Sequence, residues 1–369
     1  AARAPVFVWN TQELYAVDRG FDGPKMTANH GVHGTQDLCN TLLRSGVAFE
    51  YATTHLDDAN AVAPVGDFLR AAAAARRLRS SRIGLMGYPF PGMGDFAVDT
   101  TQLAATLGCQ WIHLSVEDYI RRAEGAPAAE AAALAAEYGR LYAVAEGVTR
   151  EELEATARAE LALRGMARDN RLDALTYQFM AFGEDERTAT LPFVATTVFQ
   201  SSRLPEIAAA GSALLSWLSP PATFSEIFTV DFAGDSLLMS HMGEANAAMA
   251  RPDRKTRLAA RPAPITRTRQ RQLELVTALR PGAATLFALT LGPGARWRMI
   301  ATGATVEDFG PVEALCAPHF KLAPEAGARE FLTAYAKAGG PHHNAVCFGD
   351  ARPRLRLAAA MLGADYIEV

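Results

Sequence analysis

The stretch TFSEIFTVDFAGDSLLMSHMGEANAAMA, Thr223–Ala250, decides how the rest of the chain is read. Phe224, Ile227, Phe228, Val230 and Phe232 alternate imperfectly, Ala233-Gly234-Asp235 interrupts them, and Ser236–Met242 resumes the pattern. Two strands joined by a turn near Gly234 are expected. Glu226 lies within the first strand and His241 at the end of the second, and their midpoint falls at the turn, which sets them roughly opposite each other. A carboxylate and an imidazole brought together in a β layer suit a metal or proton-transfer site. The hairpin alone fits equally well with both residues on a solvated face, since strands with one polar face are common.

From Ser219-Pro220-Pro221 onward, strand patterns recur at 223–232, 236–242, 273–279, 284–291, 296–302 and 319–322, with Gly/Pro turns between them. That texture predicts an all-β or barrel-like region. A helix is expected over Ala328–Lys337, another from Pro353, and a last strand over Asp365–Val369. Between these, Gly339-Gly340-Pro341 leads into the pair His342-His343.

The middle of the chain has a different grammar. Ile83–Met86 reads as a strand, GYPFPGMG (87–94) as a loop, Asp99–Leu107 as a helix and Cys109–Leu114 as a second strand. Strand, loop, helix, strand is the pattern of a parallel α/β layer. The loop lies where such sheets bind ligands, but it carries no GKS or GKT and is not a phosphate loop. Helices are expected at Ala128–Ala145 and Arg150–Ala167, the latter opened by a capping box of Thr149 and Glu152. Leu172–Phe182 reads as a strand followed by Gly183-Glu184-Asp185-Glu186, carboxylates at the ligand end of the sheet. On their own they read as the acidic first turn of a following helix.

Toward the start, Pro5–Trp9 is a short strand. Asn29–Gly34 (NHGVHG) is expected as a loop before a helix from Thr35 to Leu43. An alanine- and arginine-rich helix over 65–79 has a solvated basic side. The chain divides into 1–79, 82–218 and 219–369.

Composition narrows the class. With 369 residues, several domains are expected. A net charge of −4 gives no basic footprint for nucleic acid, and no apolar run approaches the ~20 residues of a membrane span. Cys39, Cys109, Cys316 and Cys347 are scattered without a CxxC, so neither a disulfide framework nor a zinc knuckle is indicated. A cytoplasmic enzyme is the expectation.

Taken together, VWNTQ (8–12), NHGVHG (29–34), IGLMGYPFPGMGDF (83–96), GEDERTA (183–189), the 223–242 hairpin and His342-His343 resemble the L-arabinose isomerase and L-fucose isomerase group of metal-dependent sugar isomerases. The resemblance covers most of the chain. It implies two α/β (Rossmann-like) layers, the first cut short, plus a C-terminal β-rich barrel-like domain. NHGVHG arrives early for the group, so roughly a hundred residues of a first domain are expected to be missing, against a typical domain of ~100–150. The resemblance also implies a homo-oligomer with shared active sites.

It further implies one divalent metal, Mn²⁺ with Co²⁺ and Fe²⁺ as alternatives, held by Glu184, Glu226, His241 and His343. Glu186 is an alternative to Glu184, and His342 to His343. Glu184 and Glu226 are the candidate catalytic carboxylates, and Gln12, His30 and His33 the candidate sugar contacts. His30 and His33 read equally well as loop histidines bonded to local backbone. His55, His113 and His319 read as structural. The chemistry is coherent: moving a proton between C1 and C2 of a sugar through a cis-enediol needs a carboxylate base and charge stabilisation at the two oxygens. A mixed O/N ligand set suits Mn²⁺, Co²⁺ or Fe²⁺ better than Ca²⁺. MGEANAA (242–248) departs from the arabinose pattern, which leaves the sugar open between a pentose and a deoxyhexose. A sugar-binding relative without turnover is the alternative function.

Overall fold

The computed structural model describes residues 4–94, 97–182, 185–188, 210–241, 243–262 and 271–369. In chain order the elements of its first half are β1 (Val6–Asn10), α1 (Gly23–Ala28), α2 (Gly31–Arg44), β2 (Phe49–Thr53), α3 (Ala63–Ser80), β3 (Arg82–Met86), α4 (Thr100–Thr106), β4 (Gln110–Leu114), α5 (Val116–Glu124), α6 (Ala128–Leu141), β5 (Ala143–Val144), α7 (Arg150–Asn170) and β6 (Ala174–Tyr177). The second half carries α8 (Ala210–Leu218), β7 (Ala222–Asp231), β8 (Ser236–Ser240), β9 (Arg257–Pro262), β10 (Arg271–Val276), β11 (Gly282–Leu291), β12 (Trp297–Val306), β13 (His319–Pro324), α9 (Ala328–Lys337), β14 (His343–Phe348), α10 (Arg352–Leu362) and β15 (Asp365–Glu368).

Two small parallel sheets form in the first half. Among the described residues β1 pairs with β2 alone, and β3 lies between β4 and β6. β3 is buried along Ile83–Met86 because helices and neighbours cover both its faces, which explains an apolar run without alternation. The capping box expected at Thr149 forms: its side chain accepts from the Glu152 N–H, and the Glu152 carboxylate accepts from the Thr149 N–H.

The second half contains a closed six-stranded barrel. Its order is β11-β14-β7-β8-β13-β12, and β12 closes back onto β11 from Gly282↔Val306 to Leu291↔Trp297. Closure leaves no long free edge among these strands. β15 adds in parallel along Arg298–Ala301 of β12, beyond the stretch at Ala304–Val306 where β13 pairs. Alternation divides the strands between two apolar clusters. Leu286 and Ala288 of β11, Ile300 of β12, Leu322 of β13 and Val346 of β14 meet in the interior. Their neighbours Phe287, Met299, Ala345 and Cys347 face outward onto α8, α3 and α10. The outer cluster therefore joins the barrel to helices that precede it and to α10, which follows it.

Three expectations from sequence need correction. Asn29–Gly34 is not a loop: α2 begins at Gly31, with His30 in a non-helical N-cap conformation. Gly31 and Gly34 lie in its first turn. The strand read over Leu172–Phe182 is confined to Ala174–Tyr177, after which Phe179–Phe182 coils into a 3₁₀ turn. The strand read at 273–279 is β10, which leaves the barrel and forms a separate sheet with β9 and β5.

Phe287 is fully buried in the outer cluster. Phe287→Ala should lower the unfolding free energy by about 3–5 kcal/mol, through lost transfer energy and an unfilled cavity. Thr149→Ala should cost about 1 kcal/mol through loss of the helix cap. Urea unfolding of the two variants checks both magnitudes and their order.

Candidate metal centre

Three neighbouring strands build the site. β7 lies between β14 and β8 and runs antiparallel to both. In the β14–β7 ladder His343 pairs with Glu226, and paired residues in a sheet project to the same face. On the other side, the turn sets Asp231↔Ser236, Val230↔Leu237 and Thr229↔Leu238. Continuing that register would place Glu226 opposite His241. A bulge at Phe228 slips it by one, so Glu226 pairs with Ser240 and His241 stands one residue beyond the end of β8. There the ladder no longer fixes its direction, and the ring turns toward Glu226.

The face involved is the outer one. Ala222, Phe224 and Glu226 alternate onto the same side of β7, and Ala222 joins Ala345, Cys347, Leu214 and Leu218 in the outer cluster. The site thus sits on the barrel wall beside the helices of the preceding region, rather than in the barrel interior.

Glu226 is the focus. Its Oε1 accepts from His343 Nε2 at 2.6 Å. The Nε2 atoms of His241 and His342 stand 3.7 and 3.8 Å from the same oxygen. Phe224 packs on two of the rings, with centroids 4.7 Å from His241 and 4.8 Å from His343. The His342 and His343 rings lie 4.2 Å apart. Exposure falls inward from His342, whose side chain is 41% accessible, to His343 at 26%, Glu226 at 18% and His241 at 14%.

The electrostatics follow from this packing. Burial is the largest influence on Glu226 and pushes its carboxyl up, but the His343 hydrogen bond and the three imidazoles outweigh it and hold the group below its ordinary value. For His241, burial pulls downward, while Glu244 and Glu226 together raise the imidazole above its usual value. His343 goes the other way: burial and the neighbouring imidazoles lower it despite the contact with Glu226. Adjacent imidazoles on one carboxylate cannot all be charged at low cost, because like charges this close repel.

Donor chemistry and spacing fit a divalent ion. One ligand atom each from Glu226, His342 and His343 lies within 4.8 Å of the others. His241 supplies a further Nε2 facing Glu226, and its buried Nδ1 makes no aligned hydrogen bond. One carboxylate with several neutral imidazoles is an O/N set of the kind that holds Mn²⁺, Fe²⁺, Co²⁺ or Zn²⁺, and it has no thiolate.

Of the residues singled out from sequence, Glu226, His241, His343 and His342 come together. Glu184 lies outside the described residues, as does the side chain of Glu186, whose backbone forms the 3₁₀ turn Glu186–Thr188. Gln12, His30 and His33 have local partners in this chain: Gln12 donates to the Leu14 carbonyl, His30 contacts the Thr27 carbonyl, and the His33 ring stacks edge-on against His30 at 5.0 Å. His319 is structural, buried with its ring between the Ala317 carbonyl and the Val312 N–H.

The sequence reading missed Glu244. Its Oε2 lies 2.9 Å from His241 Nδ1, and its Oε1 accepts from the Tyr177 hydroxyl. The signal was present in the spacing His-x-x-Glu, read only as a departure from a pattern.

Residues 221–365, which hold Glu226, His241, Glu244 and the histidine pair, match the L-arabinose isomerase C-terminal domain family. The whole chain aligns at 25% identity with 76% of an L-arabinose isomerase from Nocardioides sp.. It aligns at 24% identity with 76% of one from Acidothermus cellulolyticus. For the L-arabinose isomerase of Mycolicibacterium smegmatis, identity is 26% over 93% of this chain and 71% of the relative. The chain is thus similar to L-arabinose isomerases along its length, and its residues 221–365 match the C-terminal domain of that family.

Proposed function

We propose that this chain is a metal-dependent aldose–ketose isomerase that acts on a free pentose or deoxyhexose, of L-arabinose or L-fucose type, through a cis-enediol. The observation that carries the metal dependence is the convergence of three imidazole Nε2 atoms on one carboxylate oxygen of Glu226. Similarity to L-arabinose isomerases supports the isomerase chemistry. Mn²⁺ is the proposed ion, with Co²⁺ and Fe²⁺ as alternatives, and Glu226, His241 and His343 are its proposed ligands together with Glu184. A divalent ion held there would stabilise negative charge on the two sugar oxygens next to the migrating proton.

The remaining work falls to the side chains. Glu226 takes the proton from one carbon and returns it to the next on the same face, a transfer within reach of a single carboxylate. Glu184 is the second acid–base group. Phe224 packs against the His241 and His343 rings and helps to hold them in place. Gln12, His30 and His33 reach a sugar pocket of a neighbouring copy in a homo-oligomer with shared sites, which accounts for their exposure in a single chain. The chain acts in the cytoplasm, without nucleic acid or membrane.

A screen of aldopentoses and deoxyhexoses with added Mn²⁺ should give ketose product from at least one sugar, and chelation should abolish it. No turnover on any of them, with Mn²⁺ bound, would contradict the catalytic reading. Glu226→Gln should reduce turnover by about 10²–10⁴-fold, the range for loss of a positioned base, and should weaken metal binding as well. His343→Ala removes a neutral ligand, so raising Mn²⁺ should recover part of its activity by mass action. His342→Ala, the most exposed of the three, should change metal affinity little. Melting temperature with and without Mn²⁺ is the second readout, because an ion that binds only the folded state adds about 2.7 kcal/mol at a hundred times its dissociation constant. Loss of the metal response in His342→Ala but not in His343→Ala would reverse the assignment within the pair.

A further inference from the structure

Glu244 stands out because it has no place in the ligand set and yet is more enclosed than Glu226, His241 or His343, with its side chain 12% accessible. It follows β8 by four residues, and the backbone around it is held: Gly243 and Ala245 are buried. One carboxylate oxygen faces His241 Nδ1 at 2.9 Å, and the other accepts from Tyr177 at the carboxyl end of β6. Tyr177 itself packs on Phe182 at 6.1 Å, at the end of the 3₁₀ turn that precedes the Glu184–Glu186 stretch. A continuous polar path therefore runs from the parallel sheet through Tyr177, Glu244 and His241 to Glu226.

An imidazole can ligate through Nε2 only when its proton sits on Nδ1, and a carboxylate beside Nδ1 fixes that tautomer and the ring plane. We propose that Glu244 is a positioning residue for His241, holding the Nδ1–H tautomer and aiming Nε2 at the metal position, with Tyr177 as the anchor that fixes the carboxylate from the neighbouring sheet. This rests on the metal reading of the Glu226 site. It assigns Glu244 no contact with metal or sugar. Glu244 Oε2 stands 2.9 Å from Nδ1, so a small rotation of the ring aligns its N–H with the carboxylate.

The test uses the full chain labelled with ¹⁵N-histidine, free of metal, at about pH 8.5, well above the ordinary imidazole value. Long-range ¹H–¹⁵N correlations distinguish the two tautomers, and His241→Gln identifies the relevant signals. Wild type should show His241 as the Nδ1–H tautomer, and Glu244→Ala should shift it toward Nε2–H. In a parallel Mn²⁺ titration, Glu244→Ala should raise the dissociation constant about 10–100-fold, as loss of such an outer partner does elsewhere. Glu244→Gln, which keeps an acceptor and the side-chain volume, should fall between, and it serves as the variant if Glu244→Ala does not fold. Tyr177→Phe should weaken binding less and show no further loss when combined with Glu244→Ala, since the two act as one unit. A wild-type Nε2–H tautomer, or a tautomer unchanged in Glu244→Ala, overturns the proposal. So does a Glu244→Gln variant that loses Mn²⁺ as fully as Glu226→Gln with its tautomer intact, because Glu244 would then be a ligand. If wild type binds no Mn²⁺, the metal reading falls, while the tautomer result still decides the role of Glu244.

Discussion

The ladder between β7 and β14 is the constraint on which the site depends. His343 faces Glu226 because the two are register partners, and β7 is held on its other edge by β8. A slip of one residue would send every side chain of β14 to the opposite face and separate the pair. Such a slip is opposed by the closed barrel, because β14 is also paired with β11 from Ala284↔Phe348 to Phe287↔Ala345. The apolar residues that alternate with the site residues would have to change faces too. Val346 would leave the barrel interior and Cys347 the outer cluster. Register here is therefore a property of the whole barrel rather than of two strands.

Onto that rigid frame the chain places groups that are costly to gather. A half-buried carboxylate among three imidazoles loses much of its hydration, and an adjacent hydrogen bond returns only part of the loss. Such an arrangement is common where function requires it and rare otherwise. The bulge at Phe228 has a related effect. It slips the β7–β8 register so that His241 is freed from the ladder, yet remains close enough to meet both Glu226 and Glu244.

Legibility in the sequence varied with the physical origin of each feature. Five of the six barrel strands were readable because alternation and Gly/Pro turns are local signals, whereas β14 was not read as a strand; α9 and the capped start of α7 lie where caps and periodicity predicted. The approach of Glu226 to His241 followed from turn symmetry. The one-residue bulge did not, since nothing local marks Phe228. The meeting of Glu226 with His343, 117 residues apart, came from family resemblance, because no local pattern reports which strands pair across such a distance. α2 was misread at its start because glycines suggest a loop unless the N-cap geometry is known. Glu244 was missed for a different reason. Its role depends on Tyr177, which belongs to another sheet, so His-x-x-Glu carries little meaning until both are in place.

The central claim is that the outer wall of the barrel at Glu226 holds a divalent metal. Anomalous diffraction at the manganese absorption edge, from crystals grown with Mn²⁺, tests it most directly. The account predicts one dominant anomalous peak bonded to Glu226, His241 and His343, at distances usual for oxygen and nitrogen ligands. A peak bonded elsewhere in the molecule, or none at this position with the ion in excess, would contradict it.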